Sequence, residues 1–229
     1  GGRRRGPLVT VSNVIAALYV QASGCYAGLP GVDPWPEERD ARTYAGPWPV
    51  VAHPPCERWG RYWSGGPSAK VRRKKGDDGG CFAAALKAVR RWGGVLEHPK
   101  DSHAWAAFHL RHPPHAGGWV PADPDTHAGG HRAWTCTVEQ GHYGHAARKR
   151  TWLYYVGPRP PDLRWGRAPG TFRRLDAGYH TAEERLLGEA ARRAARRGAL
   201  ERLSARQRAA TPIEFRDLLL TLARLGGTR

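Results

Sequence analysis

The feature that most restricts the fold of this chain is a strand–helix–strand pattern in its middle. Residues 49–53 and residues 95–98 are short apolar runs, each ended by proline. Between them, apolar side chains recur at helical spacing from Phe82 to Trp92, before a Gly-Gly pair. Two such strands joined by a crossover helix pair in parallel, with a right-handed connection. The sequence therefore predicts an α/β fold built on a parallel sheet.

Further elements are expected on either side of this unit. Residues 14–20 are predicted as a short buried strand, and residues 134–139 and 151–156 as two more. Residues 102–110 are predicted as a short helix. Residues 28–49 hold many Pro, Gly and acidic side chains, so they are expected to be loop with little regular structure.

The last part of the chain is expected to be helical. Residues 181–203 predict an Arg-rich amphipathic helix. The run Thr-Pro-Ile-Glu at residues 211–214 predicts a capping box with proline at the first helical position. A final helix should follow and extend to about Leu225.

The chain carries a large excess of positive charge. It has 37 Lys and Arg against 20 Asp and Glu, which gives a formal net charge of +17. Such an excess favours a polyanionic partner, with nucleic acid first, over an acidic small molecule. A basic run before the central helix is predicted to contact phosphates, with a solvated loop as the alternative. The predicted nucleic-acid-binding residues are Arg58, Lys70, Arg72, Arg73, Lys74 and Lys75.

The four cysteines are widely spaced and include no Cys-x-x-Cys pair. This spacing disfavours a disulfide framework and a zinc ribbon, and no histidine spacing matches a known metal site. The sequence therefore predicts no metal and a reducing, cytoplasmic compartment. The longest apolar run, residues 14–20, is too short to span a bilayer, so no membrane association is expected. The alternative is export, because Arg3–Arg5, the apolar run and the small residues before Cys25 imitate a lipoprotein signal.

A thiol and a carboxylate are expected to share one edge of the predicted sheet. Cys56 lies just past the first strand of the central unit, and Glu97 lies at the end of the second. The carboxyl ends of parallel strands meet at the edge where open α/β folds bind ligands. The pair favours covalent catalysis, and His53 or His98 can shift Cys56 toward its thiolate. The alternatives are a small buried Cys56, a Glu97 paired with a nearby Arg, and structural histidines.

Three motifs in order resemble those of the DNA methyltransferases that act at carbon 5 of cytosine. The run Pro-Pro-Cys at residues 54–56 resembles the nucleophile motif, and Glu-His-Pro at residues 97–99 resembles the Glu-Asn-Val motif that binds cytosine. Residues 143–154 begin with Tyr-Gly and contain three successive basic residues, which resembles the arginine motif. Upstream, Asp33 with Trp35 resembles the residues around the cofactor ribose and adenine, and the segment at Asp40 resembles the acidic motif near the cofactor base.

The resemblance implies a covalent mechanism. The Cys56 thiolate would attack carbon 6 of a flipped cytosine, and Glu97 would hydrogen-bond ring nitrogen 3 and the exocyclic amine. Arg148, Lys149 or Arg150 would steady the carbonyl of the base and Cys56 itself. The implied cofactor is S-adenosylmethionine, with Gly24, Asp33, Trp35 and Asp40 as its binding residues. The aromatic residues Trp59, Tyr62 and Trp63 are candidates for stacking or wedging, with ordinary packing as the alternative.

The resemblance also implies an architecture. It predicts a Rossmann-like, mostly parallel sheet with flanking helices, an abbreviated N-terminal half and a helical C-terminal extension. Residues 1–157 would form a compact methyltransferase-like catalytic domain and residues 158–180 a linker. Residues 181–229 would form a helical extension that packs on the same domain, with the last helix against the first strand.

Two departures from the family pattern keep other functions open. Residues 21–28 lack the Phe-x-Gly-x-Gly motif of the cofactor loop, and only 72 residues follow Gly157, too few for a separate recognition domain. The expected partner is therefore DNA, in double- or single-stranded form, with a second protein as a source of targeting. One alternative is an enzyme that modifies free pyrimidine nucleotides with the same Cys56. The other is a non-catalytic nucleic-acid-binding protein on a degenerate methyltransferase scaffold.

Overall fold

The computed structural model describes residues 14–65, 70–71, 73–123, 132–170, 173, 175 and 203–227, which form a mixed α/β fold around one sheet. The strands are β1 (Ile15–Leu18), β2 (Val32–Trp35), β3 (Val50–Ala52), β4 (Gly94–Pro99), β5 (Val120–Pro121), β6 (Arg132–Glu139) and β7 (Arg150–Gly157). The α-helices are α1 (Cys81–Trp92), α2 (His103–Ala107), α3 (Ala205–Ala209) and α4 (Ile213–Gly226). Short 3-10 helices cover Glu37–Arg39, Ala41–Thr43 and Gln140–Tyr143.

The sheet changes from parallel to antiparallel in its middle. Its order is β2-β1-β3-β4-β7-β6-β5, and the first four strands of that order run parallel while the remaining pairs are antiparallel. Leu18 lies opposite Ala52, which lies opposite Leu96, so the carboxyl ends of β1, β3 and β4 meet at one edge. The predicted strand–helix–strand unit, β3–α1–β4, is confirmed.

Both faces of the sheet are covered by helices. Successive side chains of a strand point to opposite faces, and Leu96 packs toward α1 while Val95 packs toward α4. The central strands are apolar on both sides for this reason. Each large apolar side chain buried in this way contributes about 1.5–3 kcal/mol. Large buried side chains of these helices include Phe82, Leu86 and Val89 of α1 and Phe215, Leu219 and Leu222 of α4.

An aspartate before α1 fixes the start of the helix and the preceding loop together. Asp78 Oδ2 accepts hydrogen bonds from the backbone N of Phe82 and from Trp59 Nε1, both at 2.8 Å. Asp78 Oδ1 accepts from the backbone N of Gly80 at 2.9 Å. The carboxylate therefore satisfies backbone donors of the first helical turn, which the helix itself cannot pair.

Residues 28–49 contain more structure than their composition predicts. They include β2 and two 3-10 helices, and the connection from β1 to β2 consists of turns without an α-helix. The backbone N of Ile15 donates to the carbonyl of Gly31 at 2.9 Å, and Pro34 lies opposite Ala17. Because β2 is an edge strand, proline is tolerated there. The prediction that residues 28–49 are loop was therefore wrong at β2.

The start of the last helix differs from the prediction. Pro212 is the N-cap residue of α4, and no side chain caps this end, so the predicted capping box at residues 211–214 was wrong. A complete capping box lies instead at α3, where Ser204 and Gln207 bond reciprocally. Helix α4 packs on β1, β3, β4 and β7, as expected for a last helix that returns to the sheet.

Part of the predicted C-terminal region lies outside the described residues. The Arg-rich helix predicted at residues 181–203 is described only at Leu203, which is buried. The division into a catalytic domain, a linker and an extension stays a prediction.

No helix among the described residues combines the length and the apolar character that crossing a bilayer requires.

Candidate active site

The cysteine predicted as nucleophile lies in a tight turn after β3. The carbonyl of Cys56 accepts hydrogen bonds from the backbone N atoms of Trp59 and Gly60, each at 3.0 Å. Cys56 is half-buried and all four cysteines are free thiols. Glu97, near the end of the neighbouring strand β4, is only 9% exposed. The parallel pairing of β3 and β4 carries both residues to the same edge of the sheet.

The thiol, the carboxylate and one lysine are close enough to influence one another electrostatically. Burial raises the pKa of Cys56, and the negative charge of Glu97 raises it further. The ammonium group of Lys149 acts in the opposite direction on the same thiol. Cys56 is therefore held mainly as a thiol in the free protein, within the electrostatic influence of a carboxylate and an ammonium group.

Both oxygens of the Glu97 carboxylate accept hydrogen bonds. Oε2 lies 3.0 Å from His53 Nδ1, and Oε1 accepts from Gln140 Nε2 at 3.2 Å. Gln140 Nε2 also donates to the hydroxyl of Thr151 at 2.8 Å, which fixes the amide. Burial acts to raise the pKa of Glu97, but the bond to His53 and the charge of Lys149 outweigh it and lower the pKa to about 2. The carboxylate is therefore ionised at neutral pH.

His53 extends this network to the loop after β1. The hydroxyl of Tyr26 lies 2.9 Å from His53 Nε2, and Tyr26 is 2% exposed. Sequence reasoning treated His53 only as a neighbour of Cys56 and did not find Tyr26 or Gln140. The register of β3 with β4 indicates that His53 belongs to the site. Ala52 lies opposite Leu96, so His53, the next residue, follows β3 beside Glu97.

The three basic residues predicted beside the base separate into two groups. Arg150 Nε lies 2.9 Å from Glu139 Oε1, and Arg148 Nε lies 3.7 Å from Glu139 Oε2. Glu139 is 3% exposed, so these two guanidinium groups compensate a buried charge. Lys149, with a backbone φ of 23°, interrupts the regular backbone between them and acts on Cys56 and Glu97.

His98 lies on the other side of β4 from Glu97. Its Nδ1 is 2.7 Å from the hydroxyl of Ser102, and its ring packs against Phe82 and Trp105. Burial lowers the pKa of His98 to about 4, so the ring is neutral at pH 7. The carbonyl of Pro55, the residue before Cys56, acts in the opposite direction on the pKa of this ring but is outweighed by burial.

Three of the four predicted cofactor residues, Asp33, Trp35 and Asp40, contact arginine side chains. Asp33 accepts from Trp35 Nε1 at 2.8 Å and pairs with Arg39, whose guanidinium carbon lies 4.0 Å from the centre of the Trp35 ring. Hydrogen bonds from Arg42 engage both oxygens of Asp40 and lower the pKa of that carboxyl group.

These contacts do not fit S-adenosylmethionine in the way that the resemblance implies. Arg39 occupies the carboxylate of Asp33 and one face of Trp35, which would have to bind the ribose and the adenine. Gly24 lies in a turn in which its backbone N donates to the carbonyl of Gln21 at 2.9 Å. No chemical step is therefore assigned to this cofactor.

The basic loop after Cys56 presents most of its predicted phosphate contacts to solvent. Lys70, Arg73, Lys74 and Lys75 are exposed, whereas Arg72 lies outside the described residues. The Arg58 side chain is only 14% exposed and donates to the carbonyl of Trp63 at 3.4 Å, so it is turned into the loop.

The three aromatic residues of the loop differ in their environment. Trp59 is buried and packs against Phe82 and Phe108, as the packing alternative predicts. Tyr62 is 48% exposed, with the guanidinium carbon of Arg61 5.6 Å from its ring centre. Lys75 Nζ lies 5.4 Å from the ring centre of Trp63. The exposed ring of Tyr62 and the half-buried ring of Trp63 thus each have a cationic group nearby, in the loop that follows Cys56.

Neither a metal site nor a relative narrows the function further. Among the residues that the structure describes, no group of three or more His, Cys, Asp and Glu side chains is placed to hold a metal ion. No protein-family model matches the chain, and a search of curated proteins also gives no match. The function is therefore inferred from the arrangement of Cys56, Glu97 and Lys149.

Proposed function

We propose that this protein carries out covalent chemistry at carbon 5 of cytosine in DNA, on a Rossmann-like scaffold, with Cys56 as the nucleophile. The observations that support this proposal are the parallel pairing of β3 and β4, which carries Cys56 and Glu97 to one edge of the sheet, and the electrostatic effect of Lys149 on both groups. A nucleophile, a carboxylate for the ring and a cation are the groups that such an addition needs.

The addition step balances with the groups at hand. The Cys56 thiol loses its proton to the Glu97 carboxylate, and its sulfur bonds to carbon 6 as the carbon 5–carbon 6 double bond opens. Glu97 then delivers that proton to ring nitrogen 3. Carbon 5 becomes nucleophilic and can take a proton from water, or a one-carbon group from a donor. Water takes the original carbon 5 proton, and the carbon 6–sulfur bond breaks as the nitrogen 3 proton returns through Glu97 to the departing sulfur, which restores both the ring and the Cys56 thiol.

Lys149 supports both charged forms in this sequence. Its ammonium group acts to lower the pKa of Cys56 and that of Glu97. It therefore favours the thiolate as the sulfur attacks and the carboxylate after proton delivery. A water-poor site strengthens these interactions, because the dielectric constant is lower than in bulk water.

The charge distribution supports a nucleic-acid substrate. The chain carries a net charge of +17, and the exposed cations Lys70, Arg73, Lys74 and Lys75 follow Cys56 in the sequence. Contacts from these cations to phosphates would be salt-dependent and would position the strand. Because a paired base is inaccessible within a duplex, the target cytosine must leave the stack or belong to a single strand. Tyr62 and Trp63 are available to stack beside it.

A second candidate is a nucleic-acid-binding protein without catalysis. The observation that favours it is Arg39, which occupies both Asp33 and the ring of Trp35. If no one-carbon donor binds, the cysteine site could recognise an extruded base without changing it. Salt-dependent DNA binding without any chemistry at carbon 5 would favour this candidate.

Exchange of the carbon 5 hydrogen tests the proposal without any donor. Cytosine-containing oligonucleotides are incubated in D2O, and the released nucleosides are weighed by mass spectrometry. The parent protein should introduce deuterium at carbon 5 and Cys56→Ser should not, whereas the half-buried control Cys81→Ser should retain exchange. Exchange by both the parent and Cys56→Ser, or by neither, contradicts the proposal. Deoxycytidylate as substrate separates an enzyme of free nucleotides from one of DNA.

A further inference from the structure

A chain of hydrogen bonds leads from the candidate carboxylate into the protein interior. Glu97 Oε2 lies 3.0 Å from His53 Nδ1, and His53 Nε2 lies 2.9 Å from the hydroxyl of Tyr26. Tyr26 is 2% exposed, Glu97 is 9% exposed and the His53 side chain is 14% exposed. This series of hydrogen bonds joins the loop after β1 to the ends of β3 and β4. None of these contacts is needed to close a strand or a helix.

The donor and acceptor roles in this hydrogen-bond series follow from its two end groups, the Glu97 carboxylate and the Tyr26 hydroxyl. An ionised carboxylate only accepts, so the hydrogen between His53 and Glu97 belongs to Nδ1. Burial raises the pKa of Tyr26 well above its usual value, so its hydroxyl keeps its proton and can donate to Nε2. A neutral imidazole with hydrogen on Nδ1 satisfies both contacts at once. The carboxylate therefore sets the hydrogen on Nδ1, and donation from the Tyr26 hydroxyl to Nε2 reinforces this tautomer.

The other carboxylate oxygen is fixed from a different element. Gln140 Nε2 donates to Glu97 Oε1 at 3.2 Å and to Thr151 Oγ1 at 2.8 Å. Glu97 is thus held between a histidine after β3 and a glutamine after β6. Removing one of these donors would allow the Glu97 carboxylate to rotate away from the cytosine ring that it contacts in the proposed function.

We infer that His53 is a positioning residue, which holds Glu97 in its base-binding orientation and in its ionised form, with Tyr26 reinforcing the tautomer of His53. This inference rests on the proposed function of Glu97. His53 itself touches no reacting atom in this scheme. It acts by setting the direction and the protonation of the carboxylate that receives the proton of Cys56.

The charged and titratable neighbours decide what a pH profile should show. Glu97 is influenced by His53, Lys149 and His98, and its own charge acts on Cys56. Around Tyr26 the corresponding groups are Cys25, Glu97, Arg216 and Asp217. When the bond from His53 is lost, the pKa of Glu97 rises because its first stabilising partner is gone. The protonated carboxyl group then forms at higher pH and cannot accept the proton of Cys56.

The first test is the rate of carbon 5 hydrogen exchange against pH in variants of His53. His53→Leu removes the donor, whereas His53→Asn keeps an N–H group near the Nδ1 position. We expect His53→Leu to lower the exchange rate about tenfold to a hundredfold and to move its acid limb to higher pH. His53→Asn should restore much of the rate, and Tyr26→Phe should have an intermediate effect. The exposed His109, in a left-handed backbone that asparagine tolerates, supplies the control His109→Asn.

The second test does not depend on activity or on a variant that folds. Nitrogen-15 NMR of histidine-labelled parent protein should give a protonated Nδ1 and an unprotonated Nε2 for His53. The opposite tautomer would overturn the inference. So would a parent that exchanges hydrogen at carbon 5 while His53→Leu does so with the same rate and pH profile. A parent without any exchange overturns the proposed function first, and the inference with it.

Discussion

The imidazole Nδ1 of His53 lies 3.0 Å from the carboxylate Oε2 of Glu97, although the two residues are 44 positions apart in the chain. The contact exists because β3 and β4 are parallel neighbours and each of these residues lies at the carboxyl end of its strand. The same pairing carries Glu97 and Cys56 to one edge of the sheet, where the charge of Glu97 raises the pKa of the thiol. The proposed covalent site and the contact that holds its carboxylate thus both depend on one crossover connection.

The charge of Glu97 should slow chemical modification of Cys56. Because this carboxylate raises the pKa of the thiol, Glu97→Gln should lower that pKa and increase the rate of alkylation by iodoacetamide at neutral pH severalfold. Glu57 acts on the thiol in the same direction but more weakly and from an exposed position, so Glu57→Gln is the matched control. Equal rates in the parent and in Glu97→Gln would show that the two side chains do not interact.

The stability of the fold should decrease in mild acid through His98. Burial lowers the pKa of this ring from 6.5 to about 4, so the unfolded chain binds the proton more tightly than the folded one. The contribution of neutral His98 is therefore complete above pH 6.5 and is lost as the pH falls toward 4. Denaturant unfolding between these pH values measures it. The parent should lose more stability across this range than His98→Gln, whose side chain does not titrate, and parallel losses would contradict the assignment.

Two glycines with similar backbone angles should respond very differently to alanine. Gly94, at φ 113°, begins β4 where an added Cβ would overlap the backbone of Val50 in β3. Gly118, at φ 93°, has nothing within 4 Å of an added Cβ. Gly94→Ala should lose about 3 kcal/mol or more of unfolding free energy, whereas Gly118→Ala should lose about 1 kcal/mol from backbone strain alone. Thermal and denaturant unfolding of both variants check this difference.

The loop after Cys56 should determine the salt dependence of DNA binding. Lys74 is exposed in this loop, and Lys87 is equally exposed on the outer face of α1. Lys74→Gln should weaken binding and reduce the slope of log K against log salt by about 1, the value for one phosphate contact. Lys87→Gln should change the slope little. Equal effects of the two substitutions would indicate attraction by net charge without a defined contact surface.

The elements around the site could be predicted where local patterns agree with the fold. The run Pro49–His53, the helical spacing from Phe82 to Trp92 and the glycine pair that follows all favour the same crossover unit. That unit alone places Cys56 and Glu97 at one edge. Strand β2 was missed because Val-Asp-Pro-Trp has neither alternation nor a continuous apolar run, and its pairing with β1 depends on tertiary contacts.

The remaining members of the site depend on geometry that no local pattern carries. Tyr26 and Gln140 reach the site from the loops after β1 and β6, so their roles follow from the three-dimensional path of the chain. The choice of Lys149 over its two arginine neighbours follows from an unusual backbone angle and from the buried Glu139. A sequence with three successive basic residues leaves that choice open.

The most direct test of the central claim is hydrogen exchange at carbon 5 of cytosine in an oligonucleotide incubated in D2O. The account predicts a mass increase of about 1 Da in deoxycytidine with the parent and with Cys81→Ser, and none with Cys56→Ser, since only the Cys56 thiol makes carbon 5 nucleophilic. Exchange that survives in Cys56→Ser, or a folded parent that produces none, would contradict a covalent role for this cysteine.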